Sequence, residues 1–345
     1  MDATRGSGPI DFRSDTVTKP SAGMLDRMNH ASVGDDVFGE DPSINELERR
    51  SASLFGFEAG LYCPSGTMTN QVAIKCHTQP GDEVICDENA HIYQYEGGGI
   101  AFNSGASVKL LQGNFGRITA SQVRAGINPD DIHRANTSLV CLENTSNRGG
   151  GSCYDFNEIL AIRKVCDEFS LPLHLDGARV WNAIVARKES AADYGKAFHS
   201  VSICFSKSLG CPVGSVLLGS APFIRKARRI RKVFGGGMRQ AGFLAAAGLY
   251  ALDHNIDRLS IDHRHAALIA DALASKEFVR QVFPAETNIV IAELKPELPA
   301  AALVEKLKQQ NVLSYAIAPD RIRLVLHLDI TETMVNQTID IIKKL

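Results

Sequence analysis

Three short segments hold residues whose types suit chemistry, and each of them leaves an apolar run. Pro64-Ser65-Gly66-Thr67-Met68-Thr69-Asn70 is a turn of small residues between GLYC and the helical pattern of QVAIK. At a helix start, free backbone N–H groups and the Thr67 hydroxyl suit a phosphate; the plain alternative is that Ser, Gly and Thr merely cap the helix. His174-Leu175-Asp176-Gly177-Ala178-Arg179 puts an acid at a strand end, followed by two small residues and an arginine. That aspartate equally suits a capping role. Cys204-Phe205-Ser206-Lys207-Ser208-Leu209-Gly210 brings a lysine out of an apolar strand among small residues. Its amine either has a chemical task or simply reaches solvent.

Ligands of open α/β sheets bind beyond the carboxyl ends of the strands, which is where all three segments fall. A cradle, an acid and an amine together meet the needs of pyridoxal phosphate (PLP). That cofactor requires an anion site, a carboxylate to keep its ring nitrogen protonated, and a lysine that forms a Schiff base. Asp176 and Lys207 stand one crossover apart, each at a strand end. Nucleotide cofactors lack their signatures. No P-loop is present, and Gly97–Gly99, Gly149–Gly151 and Gly235–Gly237 do not follow G-x-G-x-x-G spacing.

The elements that must position these groups alternate. EVICDE (83–88), SVKLLQ (107–112), SLVCLEN (138–144), LPLHLD (171–176), SVSICFS (200–206) and GSVLLGS (214–220) predict strands, while residues 70–78 and 155–169 predict helices. Ser43-Ile44-Asn45-Glu46 reads as a capping box opening a helix through about Leu54. Such alternation predicts right-handed crossovers and a mostly parallel sheet covered on both faces. The chain turns helical after about residue 221, and beyond Pro284 it forms a small α+β unit. The expected organisation is an N-terminal arm over 1–20, a large PLP-binding domain over 21–252 and a small C-terminal domain over 253–345, with a soft boundary near 252–257.

Composition narrows the class. The 345 residues are 44% hydrophobic and 22% charged, with a formal net charge of -2, which gives no reason to expect a nucleic-acid or membrane partner. The basic stretch 225–232 (RKARRIRK) reads as a solvated helix face or a subunit contact, because the aromatic interleaving of a single-strand binder is missing. Eight scattered cysteines without a C-x-x-C pair suggest reduced core thiols rather than disulfides or a metal site. The N-terminal stretch lacks the apolar segment of a signal peptide, so the cytoplasm is the expected location.

The motifs also carry a resemblance. FRSDTVTKP (12–20), GDDVFGEDPSINELE (34–48), PSGTMTNQ (64–71), ENAHIYQYEGGG (88–99), LHLDGARVWNA (173–183), FSKSLGCPVGSVL (205–217), GGGMRQAG (235–242) and RIRLVLHLD (321–329) span nearly the whole chain. Over them the sequence resembles the low-specificity L-threonine aldolases, of the fold-type-I PLP enzymes that include β-eliminating lyases and aminotransferases. The resemblance implies the aminotransferase-like α/β fold and retro-aldol cleavage of L-threonine or L-allo-threonine to glycine and an aldehyde. It implies that Lys207 holds the cofactor, that Asp176 pairs with its ring nitrogen, and that Gly66 and Thr67 hold its phosphate with help from Arg239, of the same or a neighbouring subunit. It sets His91 against the cofactor ring, makes His133 a second active-site histidine, and leaves either as the base. Ser14, Arg179 and Arg323 are implied to grip the substrate carboxylate, with Arg179 also beside the cofactor.

On the residues alone, Arg323 also fits a solvent-facing strand position and His133 a surface one. The resemblance further implies at least a homodimer, commonly a tetramer in aldolases, with shared active sites. One departure stands out. The family usually carries histidine within ENTHN, whereas this chain reads Glu143-Asn144-Thr145-Ser146-Asn147, followed by an unusual Arg148. Competing readings are β-elimination or transamination on the same cofactor, a binding module that has lost its chemistry, and a nucleic-acid binder built on the basic stretch.

Overall fold

A computed structural model of the chain describes residues 8–345. Seven strands form the main sheet: β1 (Ala59–Cys63), β2 (Glu83–Asp87), β3 (Ser107–Leu111), β4 (Thr137–Glu143), β5 (Leu173–Gly177), β6 (Ser200–Cys204) and β7 (Ser215–Gly219). Their spatial order is β1-β7-β6-β5-β4-β2-β3. The pairs from β6 to β3 are all parallel, and β7 runs antiparallel to both β6 and β1. The carboxyl ends of β1, β2, β4, β5 and β6 therefore share one edge, and that edge carries the chemistry.

The strands β5, β6 and β7 are buried at every position. That is what a parallel sheet covered on both faces demands, and it explains why their sequences read as continuous apolar runs. Helices Gly66–His77 and Phe156–Glu168 realise the predicted crossovers. Helix Pro42–Phe55 corrects the sequence reading at its start: its cap is Asp41, whose Oδ1 accepts from the Ile44 N–H at 3.0 Å, with Pro42 in the first turn. Asp41 Oδ2 also accepts from the N–H groups of Gly34 and Gly242. Ser43 instead donates to the Ser32 carbonyl. A proline fits the first helical position because the N–H it lacks has no partner there anyway.

Toward the C-terminus, β8 (Val279–Val282), β9 (Ile289–Leu294), β10 (Tyr315–Ala318) and β11 (Arg321–Val325) form an antiparallel sheet ordered β10-β11-β9-β8. It has its own apolar core with helices Leu259–Ala274 and Glu332–Lys344, and the buried Ile10 and Phe12 of the arm join that core. Ile10–Asp11 pairs in parallel with Val312–Leu313, and the Phe12 carbonyl accepts from the Val325 N–H at 2.8 Å. The arm is thus extended, as expected, and lies along the small sheet; residues 1–7 of it lie outside the described residues.

The basic stretch lies on helix Ala221–Val233, where Arg225, Lys226, Arg229 and Lys232 are exposed, as a solvated helix face would have them, and the other two are engaged within the chain. Arg231 is 2% exposed, pairs with Asp36 at 2.7 Å and donates to the Tyr62 carbonyl, while Arg228 pairs with Glu48 at 2.8 Å. No helix among the described residues is long and apolar enough to cross a membrane. All eight cysteines are buried and free.

Candidate active site

Gly66, Thr67, Asn70, His91, Asp176, Ala178, Cys204, Ser206 and Lys207 line one cavity of about 130 Å³ at the carboxyl edge of the main sheet. The cradle, the acid and the amine picked out from sequence therefore face a common space. Each arrives on a different element: Gly66 and Thr67 open the helix after β1, Asp176 ends β5, and Lys207 follows β6.

The helix start is built for an anion. Ser65 caps it by accepting from the Met68 N–H at 3.1 Å, which leaves the first-turn N–H groups of Gly66 and Thr67 pointing away from the helix. A Cβ on Gly66 would stand 2.6 Å from Cys204 Sγ, so only glycine lets this backbone approach β6.

Asp176 is held on both oxygens, Oδ1 by the Ala178 N–H at 3.1 Å and Oδ2 by the Asn70 amide at 2.9 Å. The same amide nitrogen donates to Glu96 Oε1, and His174 lies against Asn70 Oδ1. Burial pushes His174 down to about 4. A neutral ring is thus what backs the acid. Gln71 donates to Glu96 Oε2 at 2.6 Å, an approach that Gly99 permits because any Cβ there would meet the Gln71 amide at 2.6 Å.

His91 opens helix His91–Gln94, lines the cavity, and places Nδ1 3.0 Å from Glu96 Oε1. Burial alone lowers its pKa, but the Glu96 hydrogen bond and the nearby Asp176 charge outweigh that and raise it. Glu143 pairs in register with Asp176 and accepts from the N–H groups of His91 and Asn147. Burial, reinforced by the Asp176 charge, pushes Glu143 up to about 7.

The two arginines that the resemblance assigns to the substrate carboxylate are arranged less simply than the sequence implied. Arg179 directs Nε and Nη2 onto both oxygens of the buried Asp15 at 2.8 and 2.7 Å, so its bidentate fork is already engaged within the protein. Asp15 also accepts from Ser208 at 2.9 Å. Burial opposes its ionisation, yet the Arg179 charge and hydrogen bonds hold it below the ordinary carboxylate range. Arg323 on β11 is half-buried rather than solvent-facing; it donates to Asn147 Oδ1 at 2.9 Å and to the Arg13 carbonyl, and its Nε has no acceptor. Burial and the charge of Arg179 lower it to about 10. Ser14 caps the short 3-10 turn Asp15–Val17, with Thr18 reaching the Lys207 carbonyl at 3.2 Å.

Five predicted residues are absent from the lining of this cavity: Ser14, Arg179 and Arg323, and, further from it, His133 and Arg239. His133 is exposed, bonded to Asp131 at 2.8 Å, in the connection that leads into the opposite, amino end of β4. Arg239 is exposed, paired with Asp35 at 2.8 Å. Asp15, Asn70, Glu96, Glu143 and Ser206 were missed from sequence. Only Glu143 and Ser206 carried a usable signal, a polar residue at or just past the end of an apolar strand.

The sheet order, the helix-start cradle and the lysine–aspartate cavity define the fold-type-I architecture of PLP-dependent enzymes. A structure of SPT holding its PLP internal aldimine shares this fold, at a TM-score of 0.75 and 15% identity over 97% of this chain and 87% of that one. A threonine aldolase of Leishmania major superposes with a TM-score of 0.86 at 21% identity, over 97% and 99% of the two chains. The sequence relation is closer. The beta-eliminating lyase family matches residues 11–297. The low-specificity L-threonine aldolase of Escherichia coli K12 is 43% identical over 323 residues, covering 93% of this chain and 95% of its own. A probable low-specificity L-threonine aldolase 2 of Arabidopsis thaliana is 39% identical over 97% of both. The chain belongs to the beta-eliminating lyase family.

Proposed function

We propose that the protein is a PLP-dependent aldolase that cleaves L-threonine and L-allo-threonine to glycine and acetaldehyde. The observation that carries this is the single cavity shared by Lys207, Asp176 and the Gly66–Thr67 helix start. Full-length similarity to relatives named as threonine aldolases supports the choice of reaction within the family.

The residues fit the cofactor. The N–H groups of Gly66 and Thr67, with the Ser206 hydroxyl, would take its phosphate. Asp176, fixed on both oxygens, would face its ring nitrogen, and Lys207 Nζ would carry its aldehyde carbon. When bound, PLP supplies an electron sink for the bond broken at Cα. The remaining work falls to this chain. Arg323, with the unspent Nη1 of Arg179 and Ser14, orients the substrate carboxylate and so sets which bond at Cα is aligned for cleavage. His91 gives Nδ1 to Glu96, which leaves Nε2 to accept the β-hydroxyl proton; such general-base help is typically worth about 10²–10⁴-fold.

His133 and Arg239 are exposed, so the roles the family implies for them would be exercised in a neighbouring chain's cavity. We accordingly propose a homo-oligomer of at least two chains with shared sites. Eight reduced, buried thiols support a cytoplasmic location. The two separate apolar cores support the domain division near 252–257.

The test is to give the purified holoprotein L-threonine and L-allo-threonine and quantify products. Glycine with equimolar acetaldehyde is expected; pyruvate with ammonia, or a keto acid, overturns the reading. Lys207→Ala should lose both threonine cleavage and the visible absorbance of the bound cofactor, and full cleavage by that variant would remove Lys207 from its role.

A further inference from the structure

Beside the catalytic cavity lies a larger one, of about 370 Å³, whose walls include Gln94, Tyr95, Phe115, Arg148, Phe283 and Arg321. No residue lines both cavities, but two contacts link their walls. The Tyr95 ring lies 5.7 Å from that of His91, and Arg148 follows Asn147, which receives Arg323. A substrate held by its carboxylate on Arg323 and by its β-hydroxyl near His91 would therefore extend its side chain toward this space.

The chemistry of the walls is specific. Phe115 and Phe283 meet edge to face at 5.0 Å and give the cavity an apolar side. Arg321 is already matched, with Glu293 at 3.6 Å and Asp320 at 4.0 Å. Arg148 is not matched. Its guanidinium carbon sits 4.7 Å from the Tyr95 ring centroid, and Nη1 makes one long contact of 3.4 Å with the Ile317 carbonyl. Its Nε is buried without an acceptor, and no carboxylate of the described residues forms an ion pair with it. A half-buried cation without a counter-charge has lost hydration that nothing in the chain replaces. An incoming carboxylate would replace it with charge-assisted hydrogen bonds.

We propose that this cavity receives the aldehyde half of the substrate, and that Arg148 makes it favour β-hydroxy-α-amino acids whose side chain ends in a carboxylate beyond an apolar spacer. This rests on the aldolase reading. Ser146, the departure from the family's histidine, lines neither cavity. It is 2% exposed, accepts from the Gly149 N–H at 3.2 Å, and a Cβ on Gly116 would collide with its hydroxyl. Its effect on selectivity therefore passes through the loop that carries Arg148.

The experiment compares β-(4-carboxyphenyl)serine with β-phenylserine on holoenzyme, wild type against Arg148→Met, with glycine release as the readout. Methionine keeps an apolar stem over Tyr95 and removes the charge. Both substrates carry the same α-carboxylate, so any indirect effect on Arg323 cancels in the ratio of their kcat/KM values. That ratio is expected to fall about tenfold in the variant, the scale of one charge-assisted hydrogen bond. Arg148→Lys is expected to recover part of it. An unchanged ratio overturns the proposal. If wild type cleaves neither compound nor threonine, the aldolase reading itself has failed. Calorimetric binding of the two compounds to wild type and Arg148→Met then still decides the cavity: a preference for the carboxylate lost in the variant supports it, and equal affinities overturn it.

Discussion

Asp15 shows how far the behaviour of a site departs from its signature residues. It enters from the arm, is fully buried, and neutralises Arg179 within a cluster that also holds Arg323. Removing one partner of such a buried pair leaves the other charge stranded, so Asp15→Asn should cost about 3–5 kcal/mol in urea unfolding; a loss below 1 kcal/mol would mean that Arg179 finds another partner. Glu143 makes a prediction about pH. Its carboxyl is pushed from an ordinary 4.5 up to about 7 in the folded chain. Between those values the folded chain keeps a proton that the unfolded chain has released, so this group's contribution declines as pH rises through that window. Relative to wild type, Glu143→Gln should therefore gain stability from pH 5 to pH 8, by up to about 3 kcal/mol, as read from denaturation midpoints at each pH; a pH-independent difference would contradict the shift. Asp176 and Lys207 were legible because an acid and a lysine at the ends of apolar strands are costly placements without a task. Asp15, Asn70 and Glu96 were not, because their roles arise only where distant segments meet, and nothing local distinguishes them from ordinary polar residues.

At the scale of elements, most of the main sheet could be read directly, because a strand buried on both faces has to be apolar along its length. What the pattern left open was direction: nothing in GSVLLGS distinguishes the antiparallel β7 from its parallel neighbours. The helix start at 42 was misplaced by two competing caps, Ser43 losing to an Asp41 that satisfies three separate N–H groups. The start of helix Gly66–His77 makes a sharper point. Its glycine is required by the proximity of Cys204, so Gly66→Ala should weaken cofactor binding by about tenfold, an overpacking cost of ~1.4 kcal/mol. Adding Cys204→Ala, which removes the obstructing sulfur, should return most of the affinity in a fluorescence titration with PLP. Failure of the second change to help would show that the backbone, not the thiol, sets the limit.

Across the whole molecule, the arm is the seam. Ile10 and Phe12 lie in the core of the small sheet, and three residues after Phe12 the Asp15 carboxylate holds Arg179, which follows a strand of the main sheet, so any shift between the two sheets is felt at that buried ion pair. The sequence announced the arm as an extended segment but not its route, which depends on partners some three hundred residues away. The eight thiols give this cooperativity a convenient gauge. Every one is enclosed, and burial pushes those of Cys63, Cys76, Cys153 and Cys166 up to about 12, so the reactive thiolate is suppressed as well as hidden. A disulfide reagent such as Ellman's should find almost nothing to modify in the native protein and all eight sulfurs in denaturant. In between, its rate of colour development becomes a stopwatch for how often the chain comes apart, with no label attached. A subset of sulfurs titrating within seconds under native conditions would instead locate a region that breathes independently of the rest.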